Sequence, residues 1–147
     1  MRTIKFRGKS PCFNTWLYGD LVRANNTVCI CEKGSMEMDG HHIRQFADRP
    51  QYVDERTVGQ FTGLYDCNGS EIYEGDILEL KIMLYGKQEG KSRIRRAIWK
   101  NSGFYLVDKW NDCVCEAPTT THDLVYTIIG NIYDNPELLE SKTTKEE

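Results

Sequence analysis

The sequence predicts a mainly β protein, with an SH3-like barrel in the C-terminal half and a β-rich N-terminal subdomain. Three observations carry that reading. Apolar and polar residues alternate with period two in several segments. Those segments are short and end in Gly, Asn or Asp turns. Almost nothing between them has helical periodicity.

The first segment, TIKFR, places Ile4 and Phe6 between Thr3, Lys5 and Arg7, as a half-buried strand requires. The turn-rich GKSPCFNT follows. WLYGDLV (16–22) and TVCIC (27–31) read as two strands joined at Asn25-Asn26, a pair that tolerates positive φ. EKGSMEMDGHHIRQFADR (32–49) is polar, holds two glycines and reads as a loop or hairpin that ends at Pro50. QYVDERTVGQFTG reads as a short extended piece and then a helical turn starting near Asp54. DCNG (66–69) is a strong turn signal.

DILELKIML (76–84) is a strand whose alternation slips between Ile77 and Leu80, as a bulge would cause. YGKQEGKS reads as a long hairpin loop and RIRRAIWK (93–100) as the returning strand. FYLVDKW, DCVCE and LVYTIIGNIY are further strands. NPELLE is a short helical turn, with Asn135 as N-cap and Pro136 at its first position. SKTTKEE lacks any core-forming residue and is expected to be disordered. The resulting division is 1–57 for the N-terminal subdomain, 58–140 for the barrel part and 141–147 for the tail.

The composition belongs to an ordinary globular chain. Of 147 residues, 39% are hydrophobic and 28% charged, and the net charge of −3 does not advertise a polyanionic partner. The N-terminus lacks the apolar run of a signal peptide, and the longest apolar segment is far shorter than a membrane span. We therefore expect a protein of the cytoplasm, with no membrane partner. The six cysteines then read as thiols rather than a disulfide framework.

Four segments resemble the YopX family of phage and prophage proteins: IKFRGK (4–9), WLYGDL (16–21), the stretch from Val58 to Ile77 that contains GQFTGLYDCNGSEIYEGD, and IGNIYDNPELL (129–139). They lie in the expected order along nearly the whole chain. Residues 34–49 and 87–121 show little that matches. The resemblance implies a mainly β protein with an SH3-like barrel, working in the cytoplasm of a bacterial host. It implies no catalytic residue.

Four groups of residues have chemistry to weigh. Asp66, Glu74 and Asp76 would suit a hard cation, yet their spacing matches no calcium loop, and turn chemistry explains them as well. Cys29-x-Cys31 and Cys113-x-Cys115 invite a zinc reading. Residues two apart in a strand sit about 6.5–7 Å apart at Cα, whereas zinc holds its sulfurs within about 4 Å, so buried small side chains are the simpler account. His41, His42 and His122 fall in polar segments, and no Cys–His pair is marked. Tyr18, Trp16, Phe61, Tyr65, Tyr73, Trp110 and Tyr133 read as core or subunit contacts.

The sharpest functional feature is the segment KSRIRRAIWK (91–100). It carries Lys91, Arg93, Arg95, Arg96 and Lys100, together with Trp99 and without an acid. Alternation puts Arg93, Arg95 and Trp99 on one face and Ile94 and Ile98 on the other. Such a face stacks bases and pairs with phosphates; a solvated edge strand or a subunit contact explains the same residues. The sequence therefore supports a non-enzymatic binding or assembly module with no cofactor and no metal. Its expected partners are a second copy of the chain or a host or phage protein. The alternative is a nucleic-acid-binding module built on Arg93, Arg95, Arg96, Trp99 and Lys100.

Overall fold

The computed structural model describes residues 3–32, 36–39, 42–45, 50–108, 115–116 and 123–140. Within them the protein is almost entirely antiparallel sheet, with one 3₁₀ turn. It divides into two compact units at Gly63/Leu64.

The first unit holds β1 (Phe6–Lys9), β2 (Trp16–Ala24), β3 (Thr27–Cys31), β6 (Gln51–Tyr52) and most of β7 (Asp54–Tyr65), in the order β6-β3-β2-β1-β7. The hairpin β4 (Met36–Asp39) and β5 (His42–Gln45) forms its own two-stranded sheet. The β2–β3 turn is the expected Asn25-Asn26, with Asn25 at φ 53°. One face of the sheet is a core of Leu17, Val28, Ile30 and Val53, with Phe6, Leu21 and Val58 packed against it. A side chain the size of Ile30, fully buried, contributes about 1.5–3 kcal/mol. Gly19 of WLYGDL lies where β2 crosses close to β3: a Cβ there would clash with the Cys31 carbonyl oxygen.

The helical turn expected at Asp54 is instead the start of a twelve-residue strand. The side-chain bond to a nearby backbone N–H that a helix start would use does exist here. Asp54 accepts from the Arg56 N–H and from the Arg56 side chain, while the Thr57 hydroxyl donates to the Asp54 carbonyl. These bonds sit at a bulge, where the β1–β7 register jumps from Arg7–Gly59 to Lys9–Asp54. The expected division at 57/58 falls inside this strand.

The second unit begins with the end of β7, which turns at 66–70 into β8 (Glu71–Tyr73). Next come β9 (Asp76–Leu84), β10 (Lys87–Lys100), β11 (Gly103–Asp108), β12 (Cys115–Glu116) and β13 (Leu124–Asn131), in the order β12-β11-β10-β9-β13. Ile72, Leu78, Leu80, Ala97, Leu106 and Tyr126 form the core, with Leu64, Leu124 and Ile128 against it. Neighbours Ile77 and Leu78 are both fully buried, so β9 is covered on both faces at that point. No sheet closes on itself among the described residues, so the mainly β class stands and barrel closure is not seen in the pairing.

Two details differ from the sequence reading. The slip of parity is not a bulge on β9: Ile77 and Leu80 point to opposite faces and both faces are covered there, while the bulge lies on the partner, where β13 shifts register between Ile128 and Gly130. The 3₁₀ turn Pro136–Leu139 has its proline at the first turn, but the Asn135 side chain does not cap it. Its Oδ1 instead accepts from the Asn131 N–H. The tail 141–147 lies outside the described residues. No helix among them is long and apolar enough to cross a membrane.

Candidate functional site

Two acids of the stretch 59–80, Asp66 and Asp76, are spent on backbone. Asp66 Oδ1 accepts from the Asn68 and Ser70 N–H groups, each at 2.9 Å, and Oδ2 accepts from the Ile128 N–H at 3.2 Å. The Ile128 donor is available because β13 bulges there. The Cys67 N–H completes the join by donating to the Tyr126 carbonyl. Burial alone would raise the Asp66 carboxyl, but the N–H donors of Ser70, Ile128 and Asn68 outweigh it and hold it below the usual aspartate range.

Asp76, also buried, accepts from the Tyr73 N–H at 2.7 Å. Between Glu74 and Asp76, Gly75 adopts φ 86°, donates to the Ala97 carbonyl and accepts from the Ile132 N–H. That conformation is strained for any residue with a Cβ. Asn131 performs the matching task after β13, accepting from the Tyr133 and Asp134 N–H groups. The segment that looked like a metal site is a set of joints that ties β8, β10 and β13 together. Among the described residues, no group of three or more His, Cys, Asp or Glu side chains is placed to hold a metal.

The basic strand is divided by its own packing. Arg93, Trp99 and Lys100 are exposed and Arg96 is half-buried, but Arg95 is only 2% exposed. The register explains this. Arg95 lies between Leu78 of β9 and Asp108 of β11, on the face that carries the core residue Ala97. Its guanidinium donates to the Asp108 carboxylate at 2.5 Å and to the Ile94 carbonyl at 3.3 Å. Arg95 therefore does not join a solvated arginine–tryptophan face. At about 3.4 Å per residue, Arg93 and Trp99 are roughly 20 Å apart along the strand. Trp99 packs edge-on against Phe104 with ring centroids at 4.8 Å.

Exposed chemistry that the sequence reading missed lies ahead of Lys91, at the turn into β10. The expected long loop YGKQEGKS is a two-residue turn, with Leu84 paired to Lys87 and β10 starting at Lys87. Tyr85 and Gly86 have φ 50° and 75°, the type I′ geometry that best joins twisted strands. The turn was hidden because tyrosine rarely takes positive φ. Tyr85 is fully exposed, Leu84 is exposed beside it, and every residue from Lys87 to Lys91 is exposed. Among the described residues, β13 pairs with β9 as far as Ile82, the Met83 N–H donates to the Asp123 carbonyl just before it, and β11 pairs with β10 from Arg95. Among the described residues, the end of the hairpin, around Leu84–Lys87, pairs with no further strand. A register shift between Glu89 and Arg93 leaves Gly90, Lys91 and Ser92 bulged within β10.

In the first unit, IKFRGK and WLYGDL form a cation–aromatic ladder. Arg7 lies 4.6 Å from the Trp16 ring centroid and Lys5 lies 5.9 Å from that of Tyr18. Arg7 is buried by the stack, which makes it a structural contact. Phe61 and Tyr73 are core aromatics as expected, whereas Tyr18 and Tyr65 are exposed.

Cys29 and Cys31 are buried in β3, and Cys12 and Cys67 are exposed. Burial, then Cys29 and Asp20, raise the Cys31 thiol, which opposes the thiolate a metal needs. Cys113, His41, His122 and Trp110 lie outside the described residues, and of Cys115 and His42 only the backbone is described.

Comparison with known proteins agrees with this architecture. The YopX protein family matches residues 5–140. No curated protein matches. The fold is similar to the crystal structure of protein EF1440 from Enterococcus faecalis, with TM-score 0.53 and 22% identity over 95% of this chain and 100% of that one. At that identity the likeness concerns the fold alone. With the family matched over nearly its whole length, the chain belongs to the YopX protein family.

Proposed function

We propose that this YopX protein is a phage- or prophage-encoded binding module of the bacterial cytoplasm, not an enzyme, and that the β9–β10 hairpin is its contact arm. One observation carries the reading: an aromatic side chain stands fully exposed at the tip of the β9–β10 hairpin, in a backbone conformation that tyrosine disfavours. Strain of that kind persists where something else requires the residue. Asp66 and Asp76, two of the three acids that would otherwise suggest a reactive site, are engaged with backbone donors. The antiparallel strands and tight turns of the second unit support an SH3-like reading of it, a scaffold on which a long hairpin becomes a partner-facing element.

The experiment is a pulldown from induced host cells with the wild-type chain and with Tyr85→Asn, each with and without nuclease. A partner retained by the wild type and lost with the tip variant supports the reading. Identical captures by both proteins would sink it. Sedimentation of the same two proteins shows whether the partner is a second copy of the chain.

A further inference from the structure

We infer that Asn68 is a modification site: it converts to isoaspartate by losing ammonia, the bonds of Asp66 hold that reaction back, and the conversion releases β13 from the turn. The inference is independent of the β9–β10 hairpin and its partner.

The sequence supplies the reactive pair. Of the asparagines in the chain, Asn68 alone is followed by glycine. Glycine has no Cβ to hinder a neighbouring side chain from closing on its backbone nitrogen. The Gly69 nitrogen gives up its proton and attacks the Asn68 side-chain carbonyl carbon. The N–Cγ bond forms, the Cγ–Nδ2 bond breaks, and the amide nitrogen leaves as ammonia. Water then opens the cyclic imide. Opening at Cγ gives aspartate; opening at the main-chain carbonyl gives isoaspartate. Either way water is taken up and ammonia is lost, with no oxidant or reductant. Asn68 and Gly69 are exposed, so water reaches them.

The fold restrains both reacting groups. The Gly69 N–H donates to the Asp66 carbonyl at 3.0 Å. The Asn68 N–H donates to Asp66 Oδ1 at 2.9 Å, and the Asn68 side-chain amide lies 3.5 Å from Oδ2. Nucleophile and electrophile are thus engaged with the same residue. Reaction requires the turn to open, and its rate follows the open fraction. Asp66 sets that fraction, because its carboxylate also holds the Ser70 and Ile128 N–H groups.

The product undoes this arrangement. Isoaspartate inserts a methylene into the main chain ahead of Gly69 and leaves a new carboxylate next to that of Asp66. Like charges at that spacing disfavour the ionised form on which the Asp66 bonds depend. The links from the turn to β13, Asp66 to Ile128 and Cys67 to Tyr126, loosen with it.

The test incubates the full chain in mildly alkaline buffer, folded and in urea. Peptide mapping with electron-transfer fragmentation then separates aspartate from isoaspartate at each asparagine. In urea, Asn68 should convert ahead of every other asparagine. The folded chain should convert there at least about tenfold more slowly. Asp66→Asn, checked for a cooperative melt, should convert at Asn68 about tenfold faster than folded wild type. The isoaspartyl protein, purified by charge, should melt below Asn68→Asp, which adds the charge without the methylene. Equal rates folded and in urea, another asparagine converting first in urea, an unchanged rate in Asp66→Asn, or equal melting of the isoaspartyl and Asn68→Asp proteins would overturn the inference. If Asp66→Asn does not fold, the wild-type comparison of folded and urea-treated chain decides alone.

Discussion

Arg95 and Asp108 face one another across β10 and β11, guanidinium on carboxylate, with Arg95 sealed in the core of the second unit. This pair converts the centre of the most basic segment of the chain from a surface into a structural element. A buried ion pair repays its desolvation only while both partners remain. Asp108→Ala should therefore cost about 3 kcal/mol in urea unfolding. Arg95→Met with Asp108→Leu should cost less than that single change. Equal losses in the two would mean that the charges contribute nothing to one another.

The same pair separates stability from binding. Arg95→Met should change the melting temperature and leave ligand binding through the arm unchanged. Arg93→Ala should do the reverse, because Arg93 is exposed at the arm's base. Reversal of these effects would restore the arginine–tryptophan face that the alternation predicts.

Asp66 gives a pH prediction. Its folded carboxyl lies below the ordinary aspartate range, so its contribution is present above that range and is lost as pH falls through the folded value. Asp66→Asn keeps one acceptor oxygen and loses the charge. Its deficit against wild type should be full at neutral pH and should shrink only as pH falls below the ordinary aspartate range. A deficit that grows on acidification would contradict the assignment. At neutral pH the loss should be about 1–3 kcal/mol, the range for bonds to a charged acceptor.

The cysteines give a chemical prediction. Site-resolved alkylation of the native protein should modify Cys12 and Cys67 first, and Cys29 and Cys31 only on unfolding. The raised Cys31 thiol reinforces that order, since the thiolate is the reactive form. Fast modification of Cys31 in the folded chain would show that β3 is not covered as described.

Much of the fold is legible in local signals. Thr27–Cys31 and the turn at Asn25 follow directly from alternation and asparagine chemistry. The role of Asp66 follows from its place ahead of Asn68-Gly69, although its long-range bond to Ile128 has no local signature. What failed did so for identifiable reasons. Asp54 makes the side-chain bond of a helix start, but a bulged strand uses the same bond. The alternation in 93–100 assumes one wet face, whereas the sheet is buried on both faces near Ile77 and Leu78, so an arginine could face the core. Tyr85 was invisible because the turn carries a residue that turn chemistry argues against. The mismatch is itself the strongest pointer to the candidate site.

The central claim, that the arm meets the partner, is tested most directly by photo-crosslinking from residue 85. A photoreactive phenylalanine analogue replaces Tyr85 in one protein and the likewise exposed Tyr65 in another, and both are irradiated in induced host cells. The account predicts a discrete adduct from position 85, absent from position 65 and lost when Lys87, Lys91 and Arg93 are neutralised. No adduct at 85 above that at 65 would contradict it.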